Sequence, residues 1–188
     1  MNDTRFLRNK DLISIDKLNN ITVIGLGGIG SFLVQTLGIM GFKRISGWDD
    51  DIMEPHNLSS TAYDFANVGM LKTDCAEELF KRVTSREQQF VKNCDRFSAS
   101  SVTFPKTVVC TDDMESRKIA YNVWYAHYGD SPNAWFIDAR MGATNIEVVT
   151  AQGGMLQTYE KHWIPTDSVP PAPCSMKHTV FATTTVVS

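Results

Sequence analysis

The chain has 188 residues, 43% of them hydrophobic, enough for one substantial core and not the composition of a disordered or fibrous chain. Its formal net charge of −3, from 18 basic and 21 acidic residues with no basic block, gives no electrostatic footprint for nucleic acid or an anionic membrane, so neither is expected as a partner. Four scattered cysteines without a C-x-x-C pair argue against a disulfide framework or a cysteine zinc site, and the charged N-terminus and the lack of roughly 18 consecutive apolar residues predict a soluble, cytoplasmic protein.

In chain order, Ile21 to Gly25 is a short β-branched run ending in glycine, as a buried parallel strand feeding a tight turn would. From Gly28 to Met40, Ile29, Phe32, Leu33, Leu37 and Met40 recur at helical spacing, and Gly41 stands where a C-terminal cap would. "KRISGW" is a second strand that delivers Asp49 to its C-terminal end. Val68 to Val83 reads as a second helix, "QQFVKNCDRF" as a polar-rich strand, "TVVCTDD" as a buried strand and Ser116 to Tyr128 as a third helix. This alternation predicts an α/β fold with a Rossmann-like, doubly wound, mostly parallel sheet.

After it come three strand-like runs, "AWFIDAR", "NIEVVTA" and "MLQTYEKHW", which predict an additional antiparallel region near the C-terminus with a hairpin turn at Gln152, Gly153 and Gly154. A proline-rich loop, "PTDSVPPAPC", then leads into an apolar, threonine-rich run. The expectation is one domain over residues 1–188, with the natural protein or its last helix continuing past Ser188.

Gly25, Gly27 and Gly30 form G-x-G-x-x-G between strand and helix: the first suits a tight turn, the second a close approach of backbone to phosphate, and the third close helix–strand packing. The helix's N-terminal amides then face the anion. Asp49 lies 24 residues after Gly25, where a carboxylate accepts hydrogen bonds from ribose hydroxyls, so a nucleotide with a free 2′-hydroxyl is implied. The loop alone leaves NAD, FAD and ATP open. Asp49, Asp50 and Asp51 in succession repel one another unless cations neutralise them, which suits a magnesium-bound polyphosphate and also suits a solvated acidic turn.

Taken together, the glycine loop, "DDDIMEPHNL", "GMLK" ending at Lys72 and "VVCTDDMESR" ending at Arg117 resemble, in order and spacing over Lys17 to Ala143, the ubiquitin-activating and ThiF/MoeB superfamily. That family's pattern reads glycine loop, D-x-D-x-V-x-x-x-N-L-x-R-Q, G-x-x-K and T-D-N-x-x-x-R. The resemblance implies MgATP-dependent adenylylation of the C-terminal carboxylate of a ubiquitin-like protein or peptide, with release of pyrophosphate, by a homodimer or heterodimer. It implies that Gly25, Gly27, Gly28 and Gly30 cradle the nucleotide, that Asp49 binds ribose, that Asp51 and Asn57 shape the site, that Lys72 contacts the phosphates, and that Asp112 holds magnesium and orients the α-phosphate. "RFLRN" at Arg5 to Asn9 resembles the family's leading R-Y-x-R-Q, so Arg5 or Arg8 would reach a phosphate, in some members across a dimer.

Two departures stand out. The family's arginine and glutamine after N-L-x are Ser60 and Thr61, and the C-x-x-C pairs that hold structural zinc in many relatives are absent, so no zinc is expected. Cys174 has two readings, a reactive thiol whose pKa a helix N-terminus would lower and an ordinary packed cysteine. Arg140, at the C-terminal end of a strand, either meets a ligand or pairs with Asp138. The alternatives to the enzyme are a non-catalytic scaffold or pseudo-enzyme subunit and an NAD-dependent oxidoreductase.

Overall fold

In the computed structural model, the described residues are 4–6, 11, 13–141, 146–155, 159, 161 and 162. The strands are β1 (Asn20–Ile24), β2 (Arg44–Trp48), β3 (Gln89–Asn93), β4 (Lys106–Val109), β5 (Trp135–Met141) and β6 (Ile146–Gln152), and the helices α1 (Gly30–Met40), α2 (Lys72–Val83) and α3 (Met114–Tyr128). They form one sheet in the order β3-β2-β1-β4-β5-β6, parallel throughout except for the antiparallel β5–β6 pair. This is the doubly wound, mostly parallel sheet with an antiparallel end that the pattern predicts. Among the described residues no helix is long and apolar enough to cross a membrane.

Burial divides between the two faces of the sheet. Val23, Ile45 and Val108 face α1 and α2 and pack with Val34, Ala76 and Phe80, while Ile24, Val109 and Phe136 face α3 and pack with Ala120, Tyr121 and Trp124. Alternate residues of β1 and β4 therefore feed opposite cores, which is why these central strands are apolar on both faces. Gly41 closes α1 in the left-handed region (φ 104°), and the Phe6 ring lies where a side chain on Gly41 would be.

The structure changes two elements of the sequence reading. The second helix begins at Lys72, not Val68, because Phe65–Asn67 form a short 3-10 turn capped by Asp64 and Gly69 takes a left-handed φ of 89°. Leu71 also forms an antiparallel bridge with Ile52, backed by the Met53–Met70 and Lys72–Asp51 backbone hydrogen bonds (2.8 and 2.9 Å). In "MLQTYEKHW", the described residues Tyr159, Lys161 and His162 have 3-10 rather than strand conformation. Tyr159 is buried there, stacked on Tyr121 at 4.2 Å, so packing of its ring prevails over strand pairing. The antiparallel partner of β6 is β5, and Gly153 and Gly154 form a turn after β6.

Candidate functional site

Strand register brings the sequence motifs to one edge of the sheet. Ile24 is level with Trp48 on β2 and Val109 on β4, so the glycine loop, Asp49 and the Cys110–Asp113 loop all leave the sheet side by side. In open α/β sheets this carboxyl-end crevice is where ligands bind.

The loop glycines differ in what constrains them. Gly25 has φ 87°, and a Cβ there would lie 2.8 Å from the Thr111 amide nitrogen. A Cβ on Gly30 would fall 1.9 Å from the Gly25 carbonyl oxygen, so helix and strand touch backbone to backbone. At Gly27 nothing lies within 4 Å of such an atom, leaving that face of the loop open, and Gly28 is bounded by the Ser60 carbonyl and the Met141 methyl, each 3.2 Å from where its Cβ would be. Among the described residues no side chain caps the start of α1 and no acid sits in its first turn, so its amides point into the crevice without an acidic competitor.

Asp49 receives the Leu26 amide at 2.7 Å and the Asp51 amide at 3.0 Å, which fixes its carboxylate against the glycine loop. Burial raises its pKa despite the opposing pull of Lys72 and these two amides. The folded protein therefore holds this proton to higher pH than the unfolded chain, and Asp49 subtracts stability as pH rises from the ordinary aspartate range through its folded pKa. In Asp49→Asn that part of the fall is expected to vanish, which urea midpoints compared between acid and neutral pH would show; an unchanged slope would contradict it.

Lys72, at the first turn of α2, has a side chain only 11% exposed and donates to Asp51 at 2.6 Å. Burial lowers its pKa, but Asp49, Asp51 and then Asp112 outweigh this and raise it, so it stays a firm ammonium. The Ile52–Leu71 bridge is what brings this lysine back to the acidic run. Asp112 is exposed at the end of the β4 loop, whereas Asp113 beside it caps α3 by accepting from the Ser116 amide at 2.7 Å. Asp49, Asp50 and Asp51 each offer a carboxylate oxygen within 4.8 Å of the others, a hard-oxygen donor set whose chemistry fits magnesium.

The remaining predicted residues are placed as follows. Asn57 takes the Glu54 amide at 3.0 Å and so folds the loop behind the site, and the Ser60 and Thr61 hydroxyls turn to the Asn57 carbonyl (3.3 and 3.0 Å). Arg140 pairs with Asp138 (2.7 Å) and Glu147 (3.1 Å), the ion-pair alternative of the sequence reading. The Arg5 guanidinium lies over the Phe6 ring (4.9 Å), and Phe6 abuts Gly41, at the opposite end of α1 from the glycine loop. Arg8 and Cys174 lie outside the described residues. Cys110, at the edge of the glycine loop, has its thiol pushed up to about 12 by burial, and Cys75 is raised to about 11 for the same reason, so neither is a ready nucleophile.

Pattern reading misses Tyr63 and, of the cluster around Asp138, every partner but Arg140. Tyr63 is buried and donates to the Leu26 carbonyl at 2.8 Å, with the Lys72 carbonyl 3.4 Å away, joining the glycine loop to the start of α2. Arg117, the last residue of the T-D-D-x-x-x-R stretch, is buried and bonded to Asp138 and to the Thr111 carbonyl. The motif spacing held that signal, but not its partner.

The chain belongs to the ThiF family, whose model matches residues 4–127. No curated protein matches the sequence. Among solved structures, E. coli MccB with MccA-N7isoASN aligns with 99% of this chain and 64% of its own at 19% identity and a TM-score of 0.72. E. coli MccB with ATP aligns over 99% and 63% at 17% identity and a TM-score of 0.68. The E. coli tRNA N6-threonylcarbamoyladenosine dehydratase TcdA in complex with AMP aligns over 75% and 61% at 18% identity and a TM-score of 0.63. The chain thus shares the fold of these proteins and spans less than two thirds of their length.

Proposed function

We propose that the chain binds MgATP at the carboxyl edge of its sheet and transfers the adenylyl group to the C-terminal carboxylate of a peptide or ubiquitin-like protein. The observation that carries this reading is the convergence of an open glycine loop, an Asp49 carboxylate bonded to that loop's Leu26 amide, and a largely buried Lys72 under the combined influence of Asp49, Asp51 and Asp112. The acceptor carboxylate forms a bond to the α-phosphorus as the bond to the bridging oxygen breaks and pyrophosphate leaves. No side-chain nucleophile is required; the protein aligns the two reactants and offsets charge. Lys72 supplies one fixed positive charge. Magnesium, held by Asp112, would supply the rest of the charge neutralisation on the triphosphate.

Support comes from family membership and from what the structural relatives bind: MccB is solved with ATP and with AMPCPP and MccA, and TcdA with ATP and with AMP. MccA suggests a peptide as the acceptor class, with a ubiquitin-like protein as the other form of the same carboxylate chemistry. A homodimer or heterodimer in the cytoplasm completes the reading. The loop that supplies the family's arginine offers only the Ser60 hydroxyl here, which favours a non-catalytic partner subunit as the second reading.

Calorimetric titration of the whole chain with ATP, with and without magnesium and with NAD as control, tests this. Magnesium-dependent ATP binding that is lost in Asp112→Ala is expected, followed by pyrophosphate exchange once the peptide is supplied. Absence of ATP binding would leave the scaffold, and NAD binding would return the oxidoreductase.

A further inference from the structure

Asp138, wholly buried on β5, is shared by three hydrogen-bond donors, one from each of three other residues. Arg117 Nη1, Arg140 Nε (2.8 Å) and the Tyr159 hydroxyl (2.9 Å) donate to its carboxylate, and Arg140 Nη2 adds an ion-pair contact at 2.7 Å. Arg117, with a side chain only 5% exposed, also reaches the Ala139 carbonyl (3.0 Å) through Nη1 and the Thr111 carbonyl through Nη2. Thr111 immediately precedes Asp112 and lies beyond the last β1–β4 backbone bond, from the Cys110 amide to the Ile24 carbonyl (2.7 Å). Its carbonyl is therefore not held by the sheet. Arg140 continues the chain of contacts to Glu147 on β6 (3.1 Å) and to the His162 carbonyl (2.9 Å).

We infer that Arg117 and Asp138 form a positioning clamp that holds the Cys110–Asp113 loop, and so sets the Asp112 carboxylate opposite Lys72 for magnesium-dependent nucleotide binding. A buried ion pair is roughly neutral for stability when compared with well-packed apolar side chains of similar volume, so overall stability alone does not call for one here. What apolar residues could not supply is a donor for the Thr111 carbonyl. The loop has no slack on its other side, because the Thr111 nitrogen is only 2.8 Å from where a Cβ on Gly25 would be. A shift of Thr111 would thus disturb both the glycine turn and Asp112. Through Arg140, the same carboxylate ties the nucleotide loop to the β5–β6 pair.

This inference rests on the MgATP reading, and its test separates the two. Arg117→Lys keeps the positive charge but offers one nitrogen where the guanidinium uses two, so it cannot serve Asp138 and the Thr111 carbonyl as the arginine does. In the whole chain without nucleotide, the Cys110 amide of this variant, which donates to the Ile24 carbonyl at 2.7 Å, is expected to exchange with deuterium at least about tenfold faster while α3 stays protected. MgATP affinity should fall about tenfold, the loss of one charge-assisted hydrogen bond, with ATP affinity in the absence of magnesium within about twofold of wild type.

Tyr159→Phe, which takes a donor from Asp138 without touching Thr111, should lower the melting temperature and leave both site readouts unchanged. Asp138→Asn, close in shape but uncharged, is expected to repeat the Arg117→Lys pattern and serves if that variant does not fold. Unchanged exchange at Cys110, or faster exchange with intact MgATP affinity, would overturn the clamp. If wild type itself binds no MgATP, the functional reading fails while the exchange measurement still decides whether the clamp orders the loop.

Discussion

Gly30→Ala is expected to destabilise the fold by about 2–4 kcal/mol and to remove nucleotide binding. The added methyl would sit 1.9 Å from the Gly25 carbonyl oxygen, deep inside van der Waals contact. Gly25 cannot retreat, since it is packed against the Cys110 and Thr111 backbone, has φ 87°, and donates its amide to the Trp48 carbonyl at 2.9 Å. The start of α1 must therefore lift away from the sheet, carrying its amides out of the crevice and opening the packing of Val34 and Leu37 behind it.

Gly27→Ala provides the contrast. Nothing lies within 4 Å of the new atom, so stability should change by no more than about 0.5 kcal/mol, while the methyl intrudes on the open face where phosphate would approach. Urea unfolding and ATP titration of both variants decide the matter. Equal urea midpoints for Gly30→Ala and wild type would show that the loop accommodates what the geometry forbids.

That loop was legible in the sequence because its constraints are local: a strand, a glycine at positive φ and a helix start lie within eleven residues, Asn20 to Gly30. The same holds for α1 and its Gly41 cap. The start of α2 was not legible, because it depends on a bridge between Ile52 and Leu71 that forms only once the chain has folded back on the acidic run. Apolar spacing through Val68 and Leu71 imitates a helix that Gly69 interrupts. Tyr63 lies in a stretch without periodicity, and its role is visible only through bonds to Leu26 and Lys72.

The Asp138 cluster marks the deeper limit. Arg117, Asp138 and Tyr159 are separated by 21 residues at each step, and a buried polar network leaves no periodic trace in the sequence. Strand propensity likewise pointed to an extended "MLQTYEKHW", whereas the Tyr159 ring is fixed by Tyr121 and Asp138. In each case tertiary burial outweighed local preference.

Lys72→Met should be the most informative change in the site itself. It keeps most of the side-chain volume and the α2 start, yet removes the ammonium that Asp49, Asp51 and Asp112 jointly hold above its ordinary pKa. MgATP affinity is expected to fall about 100-fold, the loss of a charged hydrogen-bond donor from a partly buried position. Stability should fall as well, and with a definite pH dependence. At neutral pH Asp49, whose pKa burial already raises, loses the cation that opposes that rise.

As pH falls and Asp49, with its burial-raised pKa, takes up its proton, it no longer needs a counter-charge, so the gap between variant and wild type should narrow. A purely steric defect would persist at every pH. Urea midpoints of the two proteins across the acid-to-neutral range, with MgATP titrations at neutral pH, therefore separate an electrostatic role for Lys72 from a packing role. A pH-independent gap with intact MgATP affinity would remove Lys72 from the site.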